Sequence, residues 1–456
     1  MKKYCFLLYG LLILGVTNAQ YTVLHNFNSI YGSPIGKLTL VGKELYGETY
    51  VVAYPATHYS GSIFSVDTNG NNFRVLHVFD STPGDLEFSF CSLTYNAGVL
   101  YGMTSEGGTH YYGNIFSIDT SGNNYKDLFD LDSAHGEYPY GSLTLYGATL
   151  YGMTSMEAKY GAGNVFSIDT NGNGFKDLYD FAGGFGNGAQ PYGSLTLSGN
   201  KLYGMTSLGG AVYGNIFSID TNGNNYKDLF NFSGSGGDGN DPYGDLTLSG
   251  DVLYGMTPTG GFDGVGNIFS IDTNGNGFKD MLDFGGSNGP RYPYGSLIIS
   301  GSRLYGGGTG KIFSIDTNGN GMKILCDLTI SCTLFLSGSA LYGTTESGGT
   351  GNSGIVFKID TSAVASVNSI IEDKRTINVY PDPSNGSFTL SLLNLNNPCN
   401  VEIYNALGEK VYAKNLLQPQ SNNSINLIGQ PTGVYFYRVL SEHGRLVGEG
   451  KVDIQK

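Results

Sequence analysis

The triplet Leu-Tyr-Gly recurs seven times, with its tyrosine at Tyr46, Tyr101, Tyr151, Tyr203, Tyr254, Tyr305 and Tyr342. Successive tyrosines are 55, 50, 52, 51, 51 and 37 residues apart. A period in this range marks a tandem array, in which one unit cannot bury its own apolar surface and must stack on its neighbours. Each triplet is followed by a loop and then by an apolar run that ends in Asp-Thr.

The fourth copy shows what one unit holds. It reads Gly193-Ser-Leu-Thr-Leu-Ser-Gly-Asn-Lys-Leu-Tyr203-Gly-Met-Thr, a loop, then Asn215-Ile-Phe-Ser-Ile-Asp220-Thr-Asn-Gly-Asn-Asn-Tyr226-Lys-Asp-Leu-Phe-Asn-Phe232. Leu195 and Leu197 alternate with polar residues, the period of a strand, while Ile216, Phe217 and Ile219 are apolar on both faces, as in a strand between packed layers. Ser-Gly-Asn and Asn-Gly-Asn supply the positive φ that hairpins need. Gly at 71 residues and Tyr at 34 suit turns and strands rather than helices or disorder.

Four antiparallel strands in about 50 residues is the blade of a β-propeller, and kelch-type repeats have a similar length. Seven triplets predict seven blades. The seventh copy stops after Phe357-Lys-Ile-Asp-Thr361 without a fourth strand, yet Tyr21-Thr-Val-Leu-His-Asn-Phe27 matches Phe73-Arg-Val-Leu-His-Val-Phe79, the fourth strand of the first copy. The N-terminal strand is therefore expected to complete the last blade and leave no open edge.

Loop lengths divide into two kinds. Ten residues separate the opening of the first strand from the triplet tyrosine in all seven copies, whereas the tyrosine and the Phe before Asp-Thr lie 18, 15, 15, 14, 15, 8 and 15 apart. In a four-stranded meander this places the variation on one face, where binding residues usually sit on a rigid scaffold. On that face Pro-Tyr-Gly recurs at Tyr140, Tyr192, Tyr243 and Tyr294, with Phe90 in the equivalent place of another copy. These aromatics are expected at the mouth of a central channel, either stacking on a sugar or other flat ligand or packing blade against blade.

The chain opens Met1-Lys2-Lys3, continues apolar from Tyr4 to Val16 and reaches Thr17-Asn18-Ala19. This pattern predicts a signal peptide at 1–19 cleaved after Ala19, too short to span a bilayer. Net charge is −14, or −16 without Lys2 and Lys3, which makes nucleic acid a poor partner. No transmembrane segment is expected in the mature chain. Cys91, Cys326, Cys332 and Cys399 remain, and the near pair Cys326 and Cys332 is either a bridge or two buried thiols.

No strong catalytic motif is present, and no cofactor is expected. Asp-Thr-Asn-Gly-Asn-Gly at Asp169 and Asp272 resembles half of a calcium loop, but the flanks are strands, and Asp and Asn capping a hairpin explain it more simply. The same stretch looks like the Asp-box turn of sialidase propellers, with one residue too many and no Trp; in that family the box is structural. His25 and His77 occupy equivalent strand positions and are expected to be packed. Glu48, Glu87, Glu106, Glu137 and Glu157 lie on or near the variable face, where two carboxylates would suffice for glycosidase chemistry.

After Thr361 the repeat ends; 362–376 reads as a linker, and 377–456 as a small Ig-like β-sandwich. This tail resembles the C-terminal sorting domain of the type IX secretion system of Bacteroidetes. The resemblance rests on Val379-Tyr380-Pro381-Asp-Pro383-Ser-Asn-Gly386, Val401-Glu-Ile-Tyr-Asn-Ala-Leu-Gly408, Pro431-Thr-Gly433-Val-Tyr-Phe436 and Lys451-Val-Asp-Ile. Asp382 stands where that family usually has Asn. The resemblance implies export across the outer membrane, with the type IX machinery as partner, and then release or attachment to the cell surface. Residues 21–361 are similar to the GloVer tandem repeat, which brings no established activity with it. The sequence thus predicts an all-β, secreted or cell-surface protein with a propeller at 20–361 that binds a glycan or surface protein without catalysis; the alternative is a carbohydrate-active enzyme using the loop carboxylates.

Overall fold

Each Leu-Tyr-Gly triplet lies in the second strand of an antiparallel sheet. The computed structural model describes residues 21–28, 30, 32–52, 59–79, 92–184, 186–234, 237–285, 289–330, 334–361, 377–392, 399–405, 408–416, 422–441 and 446–456. The expected leader with Ala19, the linker 362–376, Phe90, Glu87, Cys91 and Cys332 lie outside them. The described residues are all-β apart from one 3-10 turn at Ala158–Tyr160, and they divide into two compact units, Met1–Ser369 and Ile370–Lys456.

In the first unit the first sheet comprises Ser33–Val41, Glu44–Val52, Tyr59–Asp67 and Arg74–Phe79 in sequence order. Equivalent sheets follow at 94–130, 144–180, 196–231, 247–283 and 298–326. The seventh holds Phe335–Ser337, Ala340–Thr345, Ile355–Asp360 and, at its outer edge, Tyr21–Asn26. Tyr21, Thr22 and Val23 are opposite Ile359, Lys358 and Phe357, the pairing expected from the match to the first copy. The fourth sheet has two additions that the repeat pattern does not announce, Gly188–Ala189 and Leu208–Gly210.

The triplet is explained by its partner in the third strand. Gly102 is opposite Phe116, and a Cβ on Gly102 would meet Phe116 Cζ at 2.3 Å; Gly343 and Phe357 stand in the same relation at 2.6 Å. Glycine is required because the ring lies across the strand. The leucine beside it is fully buried in every copy, and the tyrosine is nearly so. Tyr46 Oη donates to Thr120 O of the second sheet at 3.2 Å, which ties one copy's triplet to the next copy's Asp-Thr. Burial beside Glu44 pushes the Tyr46 hydroxyl up to about 12.

The apolar cores lie between sheets. Tyr203, Met205 and Ile216 of the fourth sheet pack on Leu246, Leu253 and Phe269 of the fifth. Leu24 and Phe27, with Tyr342 and Val356 of the seventh sheet, pack on Leu38, Leu45 and Phe64 of the first. Aromatic stacks repeat the same relation further out: His77 on Tyr125, Tyr179 on Tyr226 and Phe230 on Phe278 have centroids 4.0, 3.8 and 3.8 Å apart. His25 on Phe73, at 3.7 Å, belongs to this set. The two histidines are packing residues, as the sequence suggested.

The first strands are joined by hydroxyls that looked in the sequence like an ordinary polar face. Lys37 N donates to Ser92 Oγ, Ser92 N to Ser142 Oγ, Ser142 N to Ser194 Oγ, Ser194 N to Asp245 Oδ1 and Asp245 N to Ser296 Oγ, all at 2.6 to 2.8 Å. Two residues on, Thr39, Thr94, Thr144, Thr196 and Thr247 each donate a hydroxyl to the leucine carbonyl of the next sheet. This girdle satisfies backbone groups that short inner strands would otherwise leave unpaired. Gly141, Gly193 and Gly244 permit the close approach, since a Cβ on each would fall 2.1 to 2.5 Å from the next sheet's carbonyl oxygen.

The second unit has one sheet of Ile377–Tyr380, Ser387–Leu392 and Asn422–Asn426. A second comprises Lys410–Leu416, Cys399–Tyr404, Gly433–Ser441 and Leu446–Ile454. Phe388, Leu390, Val401, Ile403, Val439 and Val452 form its core. Asp382 Oδ1 accepts from Asp453 N at 2.8 Å, a bond an Asn carbonyl could equally accept, so the departure from the family residue is conservative. Gly386 needs its φ of 100° and lies against Ile428, while Gly408 closes the turn from Asn405 to Glu409. Cys326 and Cys399 are buried thiols.

Candidate ligand-binding site

Tyr140, Tyr192, Tyr243 and Tyr294 immediately precede the girdled first strands of sheets three to six. They form one continuous arc. Ring centroids are 5.2 Å apart between Tyr140 and Tyr192, 4.6 Å between Tyr192 and Tyr243, and 5.5 Å between Tyr243 and Tyr294, with tilted, stacked and edge-on geometry. The first three are partly buried and Tyr294 is 47% exposed. The rings thus pack blade against blade and still present surface. Burial pushes the hydroxyls of Tyr192 and Tyr243 above the usual tyrosine range, and for Tyr243 the neighbours Tyr192, Asp241 and Tyr294 add to this.

A residue two positions before each tyrosine was missed by sequence reasoning. Tyr138, Gln190, Asp241 and Tyr292 all have left-handed backbones, with φ of 55°, 55°, 54° and 49°. Left-handed conformation costs a non-glycine residue about 1 kcal/mol or more, yet it recurs in four consecutive copies. The reason is local: each of these amides donates to the loop of the preceding sheet, to Tyr112, Ala162, Tyr213 and Val265 O at 3.0 or 3.1 Å. Backbone position is fixed while the side chain varies. Gln190 Oε1 accepts from Tyr192 Oη at 3.3 Å, and Asp241, its carboxyl raised by burial, accepts from Thr259 Oγ1 at 3.1 Å. The signal in the sequence is X-Pro-Tyr with a changing X.

The loop carboxylates are partly brought together. Glu106 and Glu137 both act on the Tyr138 hydroxyl, which burial and then these two charges raise. Glu137 is 6% exposed, and its carboxyl is raised first by burial and then by Glu157 and Asp132. Burial alone raises Glu106. Glu48 is buried in the second strand of the first sheet, away from this group in the sequence of sheets.

A second polar network runs beneath the variable loops. Thr104, Thr154, Thr206 and Thr257 donate to the side-chain oxygen of the buried Asn114, Asn164, Asn215 and Asn267 at 2.7 or 2.8 Å. In three of these copies the asparagine amide reaches the Asp of Lys-Asp, with Asn164 Nδ2 donating to Asp177 Oδ1 at 2.6 Å, Asn215 Nδ2 to Asp228 Oδ1 at 3.4 Å and Asn267 Nδ2 to Asp280 Oδ1 at 3.3 Å. Asn231 completes the fourth copy by donating to Asp228 Oδ2 at 2.6 Å. In the second copy the partner is Asp130, whose buried Oδ1 has no hydrogen-bond partner unless Asp127 carries a proton. Burial, and then Asp130, push the Asp127 carboxyl up to about 7. Gly108 wraps this carboxylate, since a Cβ there would lie 2.4 Å from Asp130 Oδ1.

The Asp-Thr turns use their own carboxylates. Asp272 Oδ1 accepts from Asn274 N and Asn276 N at 2.8 and 2.9 Å, which holds its carboxyl below the usual range. In the Asp169 turn, Gly172 N donates to Asp169 O and Asp169 N to Asn173 O, both at 2.9 Å.

The sequence family described as the Gloeobacter/Verrucomicrobia repeat matches residues 10–164, 51–237 and 158–334, which together exceed half of the chain. The chain belongs to this repeat family. The secretion system C-terminal sorting domain matches residues 378–450 of the same chain, so this repeat protein is exported by the type IX system to the cell surface or the extracellular space, with the sorting domain engaging that machinery. Among the described residues no helix is long and apolar enough to cross a membrane.

Among solved structures, the repeat protein is similar to an extracellular domain from B. thetaiotaomicron assigned to a hybrid two component system, at 11% identity and a TM-score of 0.53. That match covers 96% of this chain and 60% of the other. A domain from the same organism assigned to a one component system has 11% identity and a TM-score of 0.49, covering 97% and 59%. The repeat protein therefore spans about six tenths of the length of these two structures. The β-propeller domain of the Trilobed protease from Pyrococcus furiosus, of open velcro topology, has 11% identity, a TM-score of 0.45 and coverage of 74% and 95%. The fold is all-β and propeller-like. A comparison with curated proteins found no match.

Proposed function

We propose that the exported chain is a closed seven-bladed β-propeller that binds a glycan, without catalysis, through the tyrosine arc on its variable-loop face. The ring would span 20–361, completed by Tyr21–Asn26, behind a leader cleaved after Ala19 and ahead of a linker at 362–376 and the sorting sandwich at 377–456. Pairing of Tyr21–Asn26 with Ile355–Asp360, and the core shared by the seventh and first sheets, support closure.

The arc of Tyr140, Tyr192, Tyr243 and Tyr294 carries the binding proposal. Aromatic faces give contact area at low entropic cost and suit the apolar face of a sugar. The left-handed residues beside them supply hydrogen bonds that differ from blade to blade. The glycosidase alternative draws on Glu106 and Glu137, whose carboxyls are both raised by burial, one as the acid and the other as the base of the two-carboxylate mechanism. A glycan array with the full chain, repeated after Tyr192→Ala and Tyr243→Ala, tests binding. Hits weakened tenfold or more by either change support it, and no hits, or hits indifferent to both, refute it.

A further inference from the structure

An open cavity of about 390 Å³ lies against the first strands, and its wall includes Lys37, Asp245, Thr196, Thr247, Ser296 and Phe335. This is within the size range of small-molecule sites. Its residues come from sheets one, four, five, six and seven, and none of the arc tyrosines lines it.

Two residues break the repeat there. At the position following the opening residue of the first strand, copies two, three, four and six carry Ser92, Ser142, Ser194 and Ser296, and each Oγ accepts an amide of the preceding sheet. A hydroxyl is all that the girdle needs. The fifth copy has Asp245 instead, which uses Oδ1 for Ser194 N. Its second oxygen has no hydrogen-bond partner among the described residues. The first copy has Lys37, which has no acceptor to offer, and its ammonium likewise forms no hydrogen bond or ion pair among the described residues. A cation and an anion thus line one cavity without pairing with each other.

The hydroxyls sort the two ends. Thr196 and Thr247 spend their protons on Leu246 O and Leu297 O, so toward the cavity their oxygens can only accept. Thr247 is two residues from Asp245 and lines the same cavity, and Thr196 is its counterpart in the adjoining sheet. Asp245 and these two oxygens make an acceptor set suited to an ammonium group, while Lys37 supplies the cationic donor for a carboxylate.

We propose that this cavity binds a small zwitterion, an amino acid or amino acid-like molecule, with its ammonium at Asp245, Thr196 and Thr247 and its carboxylate at Lys37. Titration calorimetry on the full chain with glycine, 4-aminobutyrate and 6-aminohexanoate, which differ in charge separation, and with acetate and methylamine as the separate halves, tests it. At least one zwitterion should bind ten times more tightly than either half. Lys37→Ser and Asp245→Ser, which install the residue the other copies carry and so keep the girdle, should each weaken that binding at least tenfold without lowering the melting temperature. Tyr192→Ala should leave it unchanged, which separates this site from the arc. Absence of zwitterion binding, equal binding of a half, or binding that survives either serine substitution in a chain that melts normally overturns the proposal.

Discussion

The imidazole of His25 lies on the ring of Phe73, with centroids 3.7 Å apart and planes 6° from parallel. His25 belongs to the strand that joins the seventh sheet, and Phe73 precedes the fourth strand of the first. The contact repeats between the seventh and first sheets what Tyr179 and Tyr226 do between sheets three and four.

His25→Ala should therefore cost about 1–2 kcal/mol, a stacked aromatic pair plus lost area, in urea unfolding. Burial lowers the His25 pKa, so the native state binds its proton less readily than the unfolded chain. Stability from this group is present above about 6.5 and falls as pH drops below it. His25→Phe should keep the stack and flatten that part of the pH profile between 7 and 5.

Gly102→Ala drives a methyl into Phe116. Overpacking of this kind costs about 1–3 kcal/mol. Adding Phe116→Leu should recover part of the loss, and a double-mutant cycle read by chemical denaturation would show coupling of that sign. Additive losses would mean that the glycine answers to something other than the ring.

Asp127 and Asp130 give a pH effect of opposite sign. With the Asp127 carboxyl raised by burial and by Asp130, the native state holds a proton that the unfolded chain releases. The stabilisation is complete below the ordinary carboxylate range and is lost as pH rises toward about 7. Asp130→Asn installs the amide that Asn231 supplies in the fourth copy. The variant should melt higher than the parent at pH 8 and differ little at pH 4.

The sequence was most legible where spacing and apolarity carried the information. The triplet period located the second strands, Ile216, Phe217 and Ile219 marked the buried third strand, and the match of Tyr21–Phe27 to Phe73–Phe79 anticipated the pairing with Ile355–Asp360. The girdle was not legible, because Ser142 finds its partner Ser194 across 52 residues and alone looks like a solvent-facing hydroxyl. The left-handed Tyr138 and Gln190 escaped notice because their conformation is imposed by hydrogen bonds that their backbone N–H groups donate to the loop of another sheet rather than by their side chains. The added strands Gly188–Ala189 and Leu208–Gly210 arise from loop residues with no strand pattern of their own.

The proposed closure of a ring by the first strand underlies the proposed function, since an open array would leave both the arc and the cavity wall mobile. Thr22 and Lys358 are direct cross-strand partners, a spacing a disulfide can bridge. Thr22→Cys with Lys358→Cys, oxidised at low protein concentration, should give a monomer carrying one intramolecular bridge, seen as a 2 Da mass loss and faster non-reducing mobility, with a raised melting temperature. Reduced thiols at the two introduced positions in a folded chain, or bridges only between chains, would contradict closure by the N-terminal strand.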